Sequence, residues 1–146
     1  MFLLDTNVIS ALMQTPPEPN AAAWAAAQPL PELFTTAVCQ AEILAGLAIM
    51  PEGRRRRDLE AAARAMFLDV FDGHILPFDA AAASTYAEIV AARRRAGRPG
   101  TTLDLMIAAI ARARGANVVT RNVADFTASG VPIINPWDIT GIGQTG

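Results

Sequence analysis

Short apolar segments alternate with longer helical patterns along almost the whole chain, and this alternation most constrains the fold. Parallel strands cannot be joined by a tight turn and need a longer crossover connection, which is usually a helix. Strands that alternate with helices along the chain therefore indicate a parallel sheet. The pattern therefore predicts an α/β fold with helices on both faces of a parallel sheet. Five segments are predicted as strands: Met1–Leu4, Leu33–Thr35, Ile75–Phe78, Asn117–Thr120 and Val131–Ile134.

Six helices are predicted between these strands from apolar spacing and from proline and glycine positions. No repeat or linker divides the chain, so we expect a single domain over residues 1–138 and a flexible C-terminal tail over 139–146, without catalytic groups. The predicted helices are Asn7–Met13, Asn20–Ala27, Ala37–Ile49, a long arginine-rich helix opened by 51–53 and ending near Phe71, Ala80–Ala96 and Thr102–Arg114.

The composition indicates that any catalytic chemistry is performed mainly by carboxylate side chains. The 146 residues are 52% hydrophobic and 18% charged, with no uncharged run of about 18 residues that would span a membrane. The N-terminus lacks the basic region of a signal peptide, so a cytoplasmic protein is expected. Cys39 and His74 are the only cysteine and histidine, which excludes an intrachain disulfide and a Cys- or His-rich zinc site. Both are expected in the core or at a strand edge.

Two acids occupy unusual settings in the first half of the chain. Asp5 is the only charge at the end of the first apolar segment; it either caps the following helix or begins an acidic site. Thr6 and Asn7 are alternative caps, so the helix does not require Asp5. Glu42 lies two turns into a helix among apolar and small residues, which predicts a buried carboxylate that needs a partner.

Two further acids have ordinary structural explanations as well as functional ones. Asp104 is the only charge in TTLDLMIAAIA, and with Thr101 it fits a capping box. Asp125 follows a predicted strand in VVTRNVADF, where a turn or cap is common. Thr120 and Asn122 place a hydroxyl and an amide at the same strand end.

The four acids together predict a cation site. If the strands are parallel, Asp5, Glu42, Asp104 and Asp125 all follow a strand or begin the next helix, so they converge at one sheet edge. Two carboxylates about 6 Å apart repel by about 3 kcal/mol at an effective dielectric near 20. Mg²⁺ or Mn²⁺ suits such oxygen ligands, and the resulting expectation is metal-assisted phosphoryl chemistry.

Four ordered blocks carry a resemblance to a known family. LLDTNVIS, AEILAG, LDLMIAAIA and VVTRNVADF followed by INPW resemble PIN-domain ribonucleases, specifically VapC-type toxins of VapBC toxin-antitoxin modules, including the FitB-like branch. The resemblance spans Met1 to about Trp137. It implies a three-layer fold with about five parallel strands, and a Mg²⁺-dependent endoribonuclease that activates water for in-line attack on RNA and leaves 5'-phosphate and 3'-hydroxyl ends.

The resemblance also implies partners and residue roles. It predicts dimerisation or a toxin-antitoxin hetero-oligomer, neutralisation by a small VapB-like antitoxin whose C-terminal segment wraps the toxin, and operator-DNA binding only through that antitoxin. Leu105 stands where the family often has alanine, which places a larger side chain near the site. The implied metal-binding acids are Asp5, Glu42, Asp104 and Asp125, and the implied polar supports are Thr6, Thr120 and Asn122.

The positive charge is concentrated although the formal net charge is -2. All twelve basic residues are arginine, with runs at 54–57 and at 93–95 followed by Arg98. Such runs are typical of a solvated helix face, but arginine also suits phosphate and acidic partners. Contact with RNA or antitoxin is therefore considered for Arg54, Arg55, Arg94 and Arg98.

Three rival functions are weighed against the nuclease. Haloacid-dehalogenase-like phosphohydrolases and receiver domains need further groups that this chain lacks: position 7 is asparagine rather than an acid, and there is no lysine. The remaining alternative is a PIN-like protein that acts mainly by binding an antitoxin in an operator-DNA complex, with little nuclease activity.

Overall fold

A computed structural model describes residues 1–138, and the predicted tail 139–146 lies outside the described residues. Five parallel strands form one sheet in the order β3-β2-β1-β4-β5. The prediction of a three-layer α/β fold with a five-stranded parallel sheet and helices on both faces is confirmed. The strands are β1 (Phe2–Leu4), β2 (Leu33–Thr36), β3 (Ile75–Leu76), β4 (Asn117–Val119) and β5 (Ile133–Ile134).

Strand β1 lies at the centre of the sheet, where the order of connections reverses. Chain segments after β1 first add strands on one side, β2 and then β3, and later on the other side, β4 and then β5. Leu4 pairs with Val119, so β1 and β4 end side by side. In open parallel sheets the crevice at such a reversal, beyond the carboxyl ends of the strands, is the usual ligand site.

The helices follow the predicted pattern closely, and two are predicted to the residue, Ala37–Ile49 and Thr102–Arg114. The arginine-rich helix is shorter than predicted because it ends at Ala65 and passes into a π-helical turn, Met66–Val70. The helices are α1 (Thr6–Leu12), α2 (Pro19–Ala26), α3 (Ala37–Ile49), α4 (Arg54–Ala65), α5 (Ala80–Arg95), α6 (Thr102–Arg114) and α7 (Val123–Phe126).

Two short elements escaped prediction, helix α7 and a 3-10 turn at Leu30–Glu32. Both are too short to show a helical repeat of apolar residues, because a single turn presents only one or two positions to the core. Helix α7 matters here, since it carries Asp125.

The core is built from the central strands and from α6, the helix that contributes the largest number of buried residues. Leu3 and Leu4 of β1, Val118 of β4 and Ile107 of α6 are fully buried. Apolar residues occupy both faces of each central strand, as expected for a sheet covered on both sides. This core rigidly supports the carboxyl ends of β1 and β4.

The single cysteine and histidine take the structural places expected of them. Cys39 is fully buried in α3, and burial raises the pKa of its thiol to about 11. His74 precedes β3, with Nδ1 2.8 Å from the Leu33 carbonyl oxygen and its ring stacked on Phe34. Among residues 1–138 no helix has the length and apolar character needed to cross a bilayer.

Candidate functional site

Asp5 lies at the carboxyl end of β1 and is 4% exposed. It is also the N-cap of α1, where its Oδ1 accepts a hydrogen bond of 2.8 Å from the backbone N–H of Thr6. The expectation that Thr6 or Asn7 would make this cap unnecessary is wrong, because α1 begins at Thr6 directly after the strand. Asp5 therefore both caps helix α1 and belongs to a polar site.

The second oxygen of Asp5 is held by two side chains. Asp5 Oδ2 accepts hydrogen bonds from Thr120 Oγ1 at 2.9 Å and from Asn7 Nδ2 at 3.0 Å. Asn7 also donates to Thr120 Oγ1 at 3.0 Å and accepts from the backbone N–H of Arg121 at 3.0 Å. The network therefore joins the ends of β1 and β4 across the central crevice.

Asn7 is a site residue that sequence reasoning missed. Its amide uses both ends, since Nδ2 donates to Asp5 and Thr120 while Oδ1 accepts from Arg121. The available signal was its position two residues after a strand-end acid, in the first turn of α1. A side chain there returns towards the strand end, because residues of the first turn point towards the helix N-terminus.

Burial, together with neighbouring acids, raises the pKa of Asp5 to about 6. Removal of the carboxylate from water is the largest cause, and the charges of Asp104 and Glu42 raise the pKa further. Hydrogen bonds from Thr120 and from the Thr6 backbone oppose the shift. The structure thus brings Asp5, Asp104 and Glu42 into one electrostatic group, as the sequence predicted for these three acids.

Glu42 projects from α3 towards α1. Its Oε1 accepts a hydrogen bond of 2.9 Å from Thr6 Oγ1. The side chain is half-buried rather than buried, because the small residues beside it, Ala45 and Gly46, leave that face of α3 open to solvent. The predicted need for a partner is confirmed, and Thr6 provides it.

Asp104 lies in the first turn of α6 and forms the capping pattern expected of it. The Thr101 hydroxyl accepts from the Asp104 backbone N–H at 3.3 Å and donates to Asp104 Oδ2 at 2.8 Å. The charge of Asp104 also raises the pKa of Asp5, so this capping residue acts electrostatically on the acidic site. The two interpretations of Asp104 are compatible, as they are for Asp5.

Asp125 lies in α7 and is separate from the other three acids in its interactions. Within residues 1–138 its side chain forms no hydrogen bond or ion pair, although its backbone N–H donates to the Asn122 carbonyl at 3.1 Å. Asn122 contributes through its backbone N–H, which donates to Thr120 Oγ1 at 3.0 Å. Its amide side chain is exposed and does not cap α7.

The carboxylates have oxygens available for a hard divalent cation. Among the described residues, Glu42 Oε2 and Asp104 Oδ1 accept no hydrogen bond, and Asp5 Oδ1 accepts only one. In this part of the chain no group of three His, Cys, Asp or Glu side chains is arranged to hold a metal ion as it stands. The donor chemistry fits Mg²⁺ or Mn²⁺, and full coordination would require the carboxylates to move together.

The four arginines predicted to contact RNA or antitoxin lie in different parts of the surface. Arg55 is exposed and lines a hollow of about 320 Å³ together with Thr6 and Glu42. Arg54 is exposed and only 3.9 Å from Asp58 within its own helix. Arg94 and Arg98 are exposed at the end of α5 and in the following loop. Of these four, Arg55 is the one that the structure brings to the acidic site.

Arg93 departs from the solvated-face interpretation of the second arginine run. It is 4% exposed, and its Nε donates to the Arg98 carbonyl at 2.8 Å while Nη1 donates to the Thr127 carbonyl. It thereby ties the loop before α6 to the end of α7. Arg93 supports the segments that carry Asp104 and Asp125.

Comparisons with known proteins identify the family of this chain. The model of the PIN domain family matches residues 2–127. The VapC ribonuclease Y4jK of Sinorhizobium fredii is 40% identical over 94% of this chain and 99% of its own length. Toxin FitB of Neisseria gonorrhoeae is 34% identical over the same shares.

A solved structure shows the same fold over nearly the full length. The structure of FitAB bound to the IR36 DNA fragment contains a chain that superposes with a TM-score of 0.86 at 34% identity, covering 94% of this chain and 96% of that chain. The family model covers β1 to α7, which includes Asp5, Glu42, Asp104 and Asp125. The chain therefore belongs to the PIN-domain family, in its VapC- and FitB-like branch.

Proposed function

We propose that this protein is a metal-dependent endoribonuclease that hydrolyses RNA phosphodiester bonds. One observation carries the proposal: Asp5, buried at the central crevice, has its pKa raised to about 6 by desolvation and by the charges of Asp104 and Glu42. Such a group is stabilised when a cation binds, because the cation offsets both the repulsion and the lost hydration. Membership of a family that includes the VapC ribonuclease Y4jK supports the same activity.

Asp5, Glu42 and Asp104 would hold Mg²⁺, with Mn²⁺ as a substitute and Asp125 as the fourth acid. When bound, the cation supplies Lewis-acid activation of water and charge neutralisation at the phosphodiester. Thr6 orients Glu42 through its 2.9 Å hydrogen bond. Thr120 and Asn7 hold Oδ2 of Asp5, and Oδ1, which accepts only the Thr6 backbone N–H among the described residues, keeps a lone pair for the cation.

The cleavage test compares wild type, Asp5→Asn and Asp104→Asn on a structured RNA, with Mg²⁺ and with EDTA. Wild type should cleave only with Mg²⁺ and leave 5'-phosphate ends, while both variants should lose cleavage. Asp69→Asn is the matched control, since Asp69 is exposed on the π-helical turn and forms no ion pair within residues 1–138. Undiminished cleavage by Asp5→Asn would contradict the assignment.

The biological role that we propose is that of the toxin in a type II toxin-antitoxin module, acting in the cytoplasm. Toxin FitB and the DNA-bound FitAB assembly support this role, because their chains match almost end to end. A VapB-like antitoxin would inhibit the nuclease and carry it to operator DNA, in a homodimer or a toxin-antitoxin hetero-oligomer. Co-expression with the product of a short neighbouring reading frame should restore growth that the toxin alone arrests.

A second function is favoured by the absence, among residues 1–138, of three acids arranged to chelate an ion as they stand. In this alternative the protein mainly binds antitoxin in an operator complex and has little nuclease activity. Growth inhibition separates the two functions. Loss of toxicity in both Asp5→Asn and Asp104→Asn, with antitoxin binding retained, supports the nuclease, whereas undiminished toxicity supports the binding protein.

A further inference from the structure

An arginine and a tryptophan lie together beside the acidic site. Arg121 follows Thr120 at the end of β4, and Trp137 follows the neighbouring strand β5. The two strands are parallel, so both residues lie at the carboxyl edge of the sheet. The Arg121 guanidinium carbon is 4.9 Å from the centre of the Trp137 ring, which is the geometry of a cation–π contact.

The backbone positions of both residues are fixed by hydrogen bonds. The Arg121 N–H donates to Asn7 Oδ1 at 3.0 Å, and the same asparagine donates to Asp5 Oδ2 at 3.0 Å. The Trp137 N–H donates to Asn135 Oδ1 at 3.0 Å. Arg121 is therefore connected to Asp5 through a single side chain, and its own side chain is steadied by the aromatic ring.

The charge of Arg121 remains available to a ligand. Within residues 1–138 no ion pair engages Arg121, whereas Arg56, Arg112 and Arg114 each pair with an acid. Arg121 is exposed and Trp137 is half-buried. An arginine that contacts an aromatic ring retains N–H groups that match the two oxygens of a phosphate, and stacking reduces the entropy lost on binding.

A bound nucleic acid needs such a cation at this edge. Asp5, Glu42 and Asp104 repel the phosphates of an approaching strand, and the chain as a whole carries a formal net charge of -2. The half-buried Trp137 ring and the exposed Arg121 guanidinium over it also suit single-stranded RNA, whose unpaired bases stack on aromatic and guanidinium planes. A duplex presents its phosphates but keeps its bases stacked internally.

We propose that Arg121, held on Trp137, is a phosphate-binding subsite for single-stranded RNA at the edge of the acidic site. The inference rests on the proposed function, since it names the substrate form that the nuclease accepts. Arg121 binds the phosphate, and Trp137 both positions Arg121 and contacts a base. Arg121 belongs to the TRN segment and Trp137 to the INPW segment. Neither residue is among the RNA contacts predicted from the sequence.

Binding of a fluorescent single-stranded RNA oligonucleotide tests the subsite without cleavage. All variants are made in the Asp104→Asn background, in EDTA, and binding is measured over a range of salt concentrations. Arg121→Ala should weaken binding about 10-fold and reduce the slope of log affinity against log salt by about 0.7. Arg121→Lys should recover part of the affinity, because lysine keeps the charge without the planar fork.

Two matched substitutions separate the subsite from general charge and from folding. Arg114→Ala removes an equal charge at the C-terminal end of α6, whereas Asp104 of the acidic site is in the first turn of that helix. This substitution should leave RNA binding unchanged. Trp137→Leu should weaken binding, while Trp137→Phe should preserve most of it. Melting temperatures of all variants are measured alongside, and Arg121→Ala should melt within a few degrees of the background protein because its side chain is exposed.

The outcomes distinguish this inference from the proposed function. If wild type cleaves RNA but Arg121→Ala binds as tightly as Arg114→Ala, the subsite is overturned and the nuclease stands. An equal loss of affinity for a duplex DNA of the same length would also overturn it, because the contact would then be a nonspecific electrostatic one. If the background protein binds no single-stranded RNA, the subsite is overturned as well, whereas failure of wild type to cleave overturns the nuclease.

Discussion

Thr120 Oγ1 donates a hydrogen bond of 2.9 Å to Asp5 Oδ2, although 115 positions separate the two residues in the chain. The same hydroxyl accepts from Asn7 Nδ2 and from the Asn122 backbone N–H, each at 3.0 Å. A hydroxyl has one hydrogen to donate and two lone pairs to accept with. Thr120 uses all three, and this saturation holds the ends of β1 and β4 together around Asp5.

Thr120→Val should destabilise the protein and raise the pKa of Asp5 further. The substitution preserves shape but removes the donor that lowers the pKa of Asp5, and it leaves buried polar groups without a partner. The expected cost is about 1 to 3 kcal/mol in the free energy of unfolding, measured by urea denaturation. Thr85→Val is the control, because that hydroxyl donates only to the Ala81 carbonyl of its own helix. Equal stability of the two variants would contradict the prediction.

The stability of the metal-free protein should depend on pH through Asp5. The pKa of Asp5 is raised from 3.8 to about 6 in the folded state, so folding favours the protonated form. This contribution is fully present below the unfolded pKa and is lost as the pH rises through about 6. In EDTA, the unfolding free energy of wild type relative to Asp5→Asn should therefore fall by about 3 kcal/mol between about pH 3 and about pH 8.

A control variant isolates the contribution of Asp5 to this pH dependence. Asp69→Asn removes an exposed carboxylate and should follow the wild-type curve. Parallel curves for wild type and Asp5→Asn across this range would show that Asp5 does not titrate with a raised pKa. Chemical denaturation at each pH, with EDTA present throughout, provides the measurement.

Thr6→Val should weaken metal binding more than Thr6→Ser. Valine removes the hydroxyl that holds Glu42 Oε1 at 2.9 Å, so that Glu42 must be ordered when the cation binds. Loss of a partner that orients a metal ligand typically costs about 10-fold or more in affinity. Calorimetric titration with Mn²⁺ measures the effect, and serine keeps the hydroxyl. A Thr6→Val protein with wild-type Mn²⁺ affinity would argue against this role of Thr6.

Arg93→Met should be strongly destabilising, whereas Arg94→Met should be nearly neutral. Arg93 is 4% exposed and satisfies the carbonyls of Arg98 and Thr127; methionine fills the space but donates no hydrogen bond. Loss of charged donors to two carbonyls costs about 2 to 4 kcal/mol. Arg94 is exposed, and surface changes usually stay within about 0.5 kcal/mol. The midpoints of urea unfolding compare these adjacent arginines directly.

The longer helices that connect the strands were predictable because each has its own periodic pattern of apolar residues. Helices α3 and α6 match their predicted bounds, since both are long, apolar and marked by a cap residue or a terminal glycine. Helix α7 and the 3-10 turn at Leu30–Glu32 were not predicted, and the π-helical turn at Met66–Val70 was predicted as a continuation of the α-helix. The π-helical turn continues the apolar spacing of α4, so a sequence pattern does not distinguish the two.

Three acids that lie around the central crevice were singled out from the sequence, but their hydrogen-bond partners were only partly predicted. Asp5, Glu42 and Asp104 were singled out because each is an isolated charge in an apolar segment. Thr6 and Thr120 were predicted as polar supports, and both contact an acid. Asn7 and the Arg121–Trp137 contact were missed, because a polar residue after a strand has no sequence signal for the direction of its side chain.

The sequence by itself determined the alternation of the strands with the longer helices, the type of sheet and which acids stand isolated in apolar segments, because these depend on periodicity and on residue chemistry within short segments. Only the tertiary structure decided which oxygens of Asp5 are occupied, that Arg93 is buried while Arg94 is exposed, and that Arg121 lies over Trp137. The physical reason is that hydrogen bonds and stacking act over a few ångströms between segments distant in the chain. The packing of β1, β4 and β5 decides which side chains meet in these contacts. No pattern within a short segment of sequence contains that information.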